Sequence, residues 1–321
     1  MRHSDIMKMK LFLALAGLLA LTAEADVKTV ACWGDSITEG MAMQRDKTYP
    51  ARLQAMLGDG YKVLNSGDGG ENVITIPARQ GSFALKTGRQ IAFAAGEKRV
   101  CIGDGKDNGF LTPEGFGIKL TAALGREISV NPVRIGAGSY RLSFTEFQWN
   151  TPQHPIQYRL WLERQDATAA VEIPAGTPVE FASIGAAKGA FCEVILMGAN
   201  GGWDNRIEKL IALYRRMLAR RGEDKPYLAI IPYWGGFTAE QIEAFKSAFG
   251  ERAIDFRGEA IARGLKTEGL AATALDEKEM AAGRVPPGLL YRNRPDCHMN
   301  EFGYDFLARL VFERGKSLGY W

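Results

Sequence analysis

Both ends of the chain alternate short apolar runs with amphipathic stretches, and the middle does not. Residues 28–33 (Lys-Thr-Val-Ala-Cys-Trp) form a β-prone run closed by the turn formers Gly34, Asp35 and Ser36. A helical segment over about 49–57 and a second strand over 61–64 follow, so the mature chain opens β-α-β. The rhythm returns after residue 190. Strands are expected over 193–197, 227–232 and 254–256, helices over 204–221 and 239–249, and a closing helix over 301–314. Strands that alternate with helices imply a parallel sheet covered on both faces.

Residues 77–190 instead alternate polar with apolar positions in short segments, 126–130, 140–144, 157–162 and 170–173, divided by Gly and Pro. This is the pattern of a β-rich insertion, a small barrel or sandwich. The expected organisation is a first α/β part over 26–76, an inserted all-β domain over 77–190 and a second α/β part over 191–321. A length of 321 residues fits about two domains, and 46% apolar with 24% charged residues is ordinary for a globular protein. Forty Lys and Arg against 37 Asp and Glu leave a net charge of +3, too little to suggest nucleic acid or a membrane surface as partner. The cluster Arg215, Arg216, Arg220 and Arg221 reads as a solvated helix face.

The first 25 residues change the compartment. Arg2, Lys8 and Lys10 precede an apolar run over 11–21 and the small residues Ala23 and Ala25, the layout of a secretory signal peptide cut near Ala25. That run is too short to span a bilayer. The mature protein is expected in the periplasm or the medium, with its oligomeric state open. All four cysteines lie in the mature part. With Cys32 in an expected core strand and Cys297 beside a catalytic candidate, Cys101–Cys192 is the bridge that remains, and free thiols acting as small hydrophobes are the equal alternative.

Candidate chemistry gathers at strand ends. Ser36 follows the first strand within Gly34-Asp35-Ser36-Ile37-Thr38-Glu39-Gly40, which places its hydroxyl at the carboxyl edge of the sheet, where open α/β sheets bind ligands. Asn65, Gly67 and Gly70 follow the second strand at N-x-G-x-x-G spacing, with no Lys at P-loop spacing. Gly198-Ala199-Asn200-Gly201 follows the strand expected over 193–197. Beyond the leader only His154 and His298 can act as a general base. His154 reads as a loop residue of the insertion, whereas His298 stands directly before the closing helix, two residues after Asp296. No zinc spacing and no G-x-S-x-G elbow occurs, and the 104–109 segment fails as a calcium loop because Lys106 and Gly115 occupy ligand places.

These four blocks, in this order, resemble the SGNH (GDSL-type) hydrolase superfamily over 27–76 and 191–321. The resemblance implies a flavodoxin-like α/β/α sandwich and serine esterase chemistry. Ser36 would be the nucleophile, His298 the base and Asp296 its orienter, with the N–H groups of Ser36 and Gly70 and the amide of Asn200 as oxyanion hole. It implies no metal and no organic cofactor. Two positions depart from the family's pattern. Its last block usually reads D-x-x-H, where this chain has Pro295 and sets Asp296 one residue nearer, and Gly201 stands where an Asp follows the Asn. Export and a β-rich module point to O-acetylated polysaccharide or glycan as substrate, with Asp35, Trp203, Tyr233 and Trp234 as substrate-binding candidates. A lipid or short-acyl esterase and a degenerate glycan-binding protein are the alternatives. The insertion leaves the sheet after Gly70 and returns before Asn200, so it is expected to wall the cleft and select the substrate.

Overall fold

The structure, a computed structural model, describes residues 27–41, 43–103, 109–120, 130–145, 159–181, 187, 189–222, 224–234 and 236–321. The expected signal peptide, residues 126–129, His154 and most of the 104–109 segment lie outside the described residues. Strands β1 (Lys28–Gly34) and β2 (Tyr61–Gly67) come first. The middle holds β3 (Leu85–Thr87), β4 (Ile91–Phe93), β5 (Arg99–Gly103), β6 (Phe110–Leu111), β7 (Val133–Ile135), β8 (Gly138–Thr145), β9 (Arg159–Glu163), β10 (Val171–Ile173) and β11 (Pro178–Phe181). Then follow β12 (Cys192–Leu196), β13 (Tyr227–Ile230) and β14 (Ala253–Ile254).

Five of these form one parallel sheet in the order β14-β13-β12-β1-β2. The order reverses at the joint between β1 and β12, so the connections at their carboxyl ends diverge and leave a crevice. Side chains alternate between two buried faces. β1 sends Val30 and Cys32 into a cluster with Tyr49, Leu53, Tyr304 and Leu307, and Ala31 and Trp33 into a cluster with Leu210, Tyr214 and Phe245. Helices Tyr49–Leu57 and Glu301–Ser317 cover the first face, Ile207–Ala219 and Ala239–Phe249 the second. The expected α/β/α sandwich is therefore present.

Each covering helix has a local reason to form. In Ile207–Ala219 the buried residues Leu210, Leu213, Tyr214, Met217 and Leu218 fall on one stripe of the 3.6-residue period. Thr238 and Gln241 close a capping box on Ala239–Phe249, and the Asn300 side chain accepts the Gly303 N–H at 3.0 Å to start Glu301–Ser317. Among the described residues no helix is long and apolar enough to cross a membrane.

The middle of the chain is antiparallel, as its alternation predicts. A seven-stranded sheet runs β5-β9-β8-β7-β11-β3-β6, with β10 and β4 paired beside it. Its core is continuous with that of the sandwich. Phe83, Leu85, Phe93, Phe110, Leu142, Leu160 and Phe181 share one apolar cluster with Trp33, Ile195, Leu210 and Tyr214. At the seam Arg216 lies over the Phe83 ring at 4.1 Å and bonds Glu114 at 2.9 Å, and the Lys119 N–H donates to Thr75 Oγ1 at 2.9 Å. Thr75 belongs to the buried helix Thr75–Gln80, too short to show a period in the sequence.

Two expectations are overturned. The arginine cluster is not a solvated face: Arg220 and Arg221 reach the buried Glu193 of β12 at 3.3 and 3.9 Å, and the Gln80 amide donates to the same carboxylate at 3.0 Å. Arg221 also donates to the carbonyls of Ala190, Phe191 and Pro226, which clamps the entrances to β12 and β13. A carboxylate in the core requires such partners. Nor is there a Cys101–Cys192 bridge, for all four cysteines are free thiols. Cys192 is buried with the residues under Glu301–Ser317, whereas Cys101 is exposed on β5, at the edge of the antiparallel sheet.

Candidate active site

β1 delivers Ser36 at the crevice. Asp35 starts the short helix Ser36–Glu39, its carboxylate accepting the Ile37 N–H at 3.0 Å. Burial pushes the Asp35 carboxyl up to about 7, against the pull of the Ile37 and Ala199 backbone. At 1% exposure Asp35 meets no substrate, which corrects its place among the substrate-binding candidates; it shapes the turn that presents Ser36.

Ser36 Oγ is 3.0 Å from Nε2 of His298. Nδ1 of the same ring is 3.2 Å from Oδ1 of Asp296, an oxygen that also accepts the His298 backbone N–H at 2.9 Å. The D-x-H spacing thus reaches the ring by folding the carboxylate back over a single intervening residue. Burial pushes the Asp296 carboxyl up, but the His298 backbone N–H and ring outweigh it and hold the group below the usual carboxylate range. The Leu290–Met299 bridge, the Tyr291 N–H on the His298 carbonyl and the Tyr233 hydroxyl on the Cys297 carbonyl fix the loop that carries these residues.

The loops after β2 and β12 close on Ser36 from the other side. Asn65, near the carboxyl end of β2, accepts the Gly67 N–H at 3.0 Å and donates to the Glu39 carbonyl at 3.3 Å, which ties that strand to the helix of Ser36. A Cβ on Gly67 would lie 2.1 Å from the Glu39 nitrogen, so only glycine lets the end of β2 pack on the helix that carries Ser36. Gly70 holds φ at +83°, also a glycine conformation. The Asn200 amide donates to the Glu71 carbonyl at 3.0 Å, next along the chain from Gly70, and still has a second N–H to offer. Val73 N–H to Gly201 O, at 3.3 Å, joins the same two loops.

Under this floor lies a buried pair that the sequence reading missed. Arg79 Nε donates to Glu71 at 2.9 Å, and Nη2 donates to the carbonyls of Ser66 at 2.7 Å and Gly34 at 3.5 Å. The guanidinium also lies 5.3 Å from the centre of the Trp33 ring. One cation therefore joins the carboxyl ends of β1 and β2 to the loop that holds Asn200. Burial drives the Glu71 carboxyl up to about 8 even though Arg79 pulls it down. The available signal was two opposite charges flanking the apolar stretch 73–78.

Of the aromatic candidates, Trp203 is 4% exposed, stacks on Phe237 at 4.9 Å and donates to the Gly198 carbonyl at 3.1 Å. It is core, not a sugar platform. Tyr233 is also buried and acts through the Cys297 carbonyl. Trp234, just beyond the carboxyl end of β13, is 40% exposed.

No family model and no curated protein matches this chain. Solved structures do resemble it at low identity. A protein assigned to the lipolytic G-D-S-L family from Desulfitobacterium hafniense DCB-2 is 11% identical, with 89% of this chain and 99% of that one covered and a TM-score of 0.43. A carbohydrate acetylesterase family member from Sinorhizobium meliloti is 14% identical, with 91% and 99% covered and a TM-score of 0.35. An alpha/beta hydrolase enzyme from the metagenome of Lake Arreo is 12% identical, with 91% and 96% covered and a TM-score of 0.42.

Proposed function

We propose that this protein is an exported SGNH-type serine esterase that removes O-acetyl groups from carbohydrate. The observation that carries the reading is the Asp296–His298–Ser36 line, with separations of 3.2 and 3.0 Å across two nitrogens of one ring. Asp296 holds the proton on Nδ1, so Nε2 presents a lone pair to the serine hydroxyl. Ser36 Oγ attacks the ester carbonyl as Nε2 takes its proton, and the imidazolium returns that proton to the departing sugar alcohol. Water then releases acetate by the same route. The N–H groups of Ser36 and Gly70 and the free N–H of Asn200 receive the oxyanion.

Two features of the surroundings support carbohydrate as the substrate class. The hollow beside the helix of Ser36 is lined by Glu39, Arg45, Thr48, Gln54 and Asn65 together with Pro50, Ala51 and Val63, so polar groups able to meet a hydroxylated substrate lie among apolar ones. The exposed Trp234 offers a face on which a sugar ring can stack. The test compares an aryl acetate, an aryl octanoate and an acetylated polysaccharide. Acetate release is expected from the first and third. Ser36→Ala and His298→Ala should each lower turnover by about 10³-fold or more, and the double variant little further. Full activity in either single variant refutes the triad. Preference for octanoate supports a lipid esterase instead, and polysaccharide binding without hydrolysis supports a glycan-binding protein.

A further inference from the structure

Glu39 closes the short helix that Ser36 opens, and no step of the chemistry above uses its carboxylate. Residues three apart in a helix share a face, so the carboxylate and the nucleophile stand on one side of a single four-residue piece. The base of that side chain is held fast. The Glu39 N–H donates to the Asp35 carbonyl at 2.9 Å, its carbonyl accepts the Asn65 amide at 3.3 Å, and Gly67 packs against its nitrogen. From there the carboxylate reaches Gly69, with Oε2 sealed from solvent. A Cβ on Gly69 would lie 2.6 Å from that oxygen, closer than side-chain atoms come. The next atoms it would meet are Met41 Cε at 3.5 Å and Ser36 Cβ at 3.6 Å, both at ordinary contact distance. Gly69 is not among the glycines with positive φ, so no left-handed turn demands glycine there. The Glu39 oxygen is what stands where a side chain at residue 69 would go.

We propose that Glu39 is a positioning residue: its carboxylate takes the place of a side chain at residue 69 and thereby fixes the Gly69–Gly70 pair beside Ser36. The proposal rests on the reading of the Gly70 N–H as an oxyanion donor. Two glycines in succession are the loosest backbone a chain can have, and a donor helps only where it is already aimed at the developing charge. The Asp68 N–H on the Gly34 carbonyl at 3.1 Å and the Glu71 N–H on the Asp68 carbonyl at 3.4 Å hold the turn at its two ends. Between them Glu39 supplies the contact that Gly69, having no side chain, cannot make. Because the contact comes from the helix of Ser36, nucleophile and donor keep one geometry. A displacement of about 1 Å between them would cost on the order of 10²-fold in rate.

The test measures aryl-acetate kinetics and melting temperature for Glu39→Ala, Glu39→Gln, Gly69→Ala and the double variant Glu39→Ala/Gly69→Ala. Glu39→Ala should lower kcat by about tenfold or more with KM within about threefold, whereas Glu39→Gln, of the same shape, should stay within about threefold of the wild type. Gly69→Ala should lose activity because its methyl displaces the carboxylate. The double variant should be faster than either single one, since the methyl then fills the space that the carboxylate has left. An unchanged kcat in Glu39→Ala, an equal loss in Glu39→Gln, or a double variant no faster than the singles overturns the proposal. A melting temperature lowered in Gly69→Ala and recovered in the double variant, in a protein whose wild type hydrolyses no ester, leaves the contact standing and removes the esterase reading instead.

Discussion

Replacing Arg79 with Met isolates the contribution of the cation beneath the active-site floor. The Arg79 and Glu71 side chains are 2% and 0% exposed, so the substitution strands a carboxyl that water cannot reach. Breaking a buried pair from one side costs about 3–5 kcal/mol. Two local facts set the value within that range. Glu71, already pushed up to about 8, loses the pull of Arg79 in the variant, so it stays protonated and escapes part of the charge penalty. The Gly34 carbonyl keeps the Asp68 N–H at 3.1 Å, and the Ser66 carbonyl stays in the ladder between β1 and β2, so the loss of Arg79 leaves neither carbonyl without a partner. A loss near the lower end, about 3 kcal/mol, is expected from urea unfolding followed by tryptophan fluorescence, with the denaturant slope unchanged. Adding Glu71→Gln should recover on the order of 2 kcal/mol, because the two residues act as one unit. An Arg79→Met protein within about 1 kcal/mol of the wild type, or strictly additive single and double variants, would refute the argument.

Asn200→Ala should lower kcat by roughly two orders of magnitude with little change in KM, and an unchanged kcat would place the oxyanion elsewhere. Asp35→Asn tests the buried carboxyl through pH: its folded value is pushed up to about 7 from an ordinary 3.8, so between those values the folded state holds the extra proton and the wild type loses stability as pH rises. The isosteric amide should flatten the melting temperature across that window, and an unaltered slope would show that Asp35 is not the group responsible. Replacing residues 84–189 with a short Gly/Ser linker should abolish cooperative thermal unfolding, because the antiparallel module shares its apolar cluster with Trp33, Ile195 and Tyr214. A sharp melting transition in that variant, with aryl-acetate activity intact, would mean the two parts fold independently.

The helices Tyr49–Leu57 and Ala239–Phe249 are legible in the sequence through their apolar period, to which the capping box of the second adds a local start signal. β1 and β12 are legible as apolar runs with a turn behind them, and Ser36 and His298 because a short motif sits at the end of each element. What lies outside the reach of the sequence is tertiary pairing of charge. Arg220 and Arg221 look like any solvated run until Glu193 is known to point inward from a strand. Arg79 and Glu71 fall in a six-residue helix and a loop, too short for any period to mark a buried face. Strands such as β3, β4 and β6, two or three residues long, are below the length at which alternation can be recognised. The failed Cys101–Cys192 pairing has the same origin, since position along the chain says nothing of which sheet a thiol enters.

The joint between β1 and β12 also carries a timetable. β1 meets β2 after two short helices, but Val30 meets Cys192 only after the whole antiparallel module has been made. A ribosome releases these parts in order. Until β12 emerges, β1 has an apolar, β-prone flank with open backbone groups, an invitation to pair with a neighbouring nascent chain. Loop closure becomes only slowly harder with length, and a module that has already compacted shortens the gap to be closed. Ser36 and Asn200 stand on the two sides of that gap. The crevice therefore does not exist in a half-made protein, and the docking of β12 both removes the aggregation hazard and brings the loop of Asn200 to the crevice at Ser36.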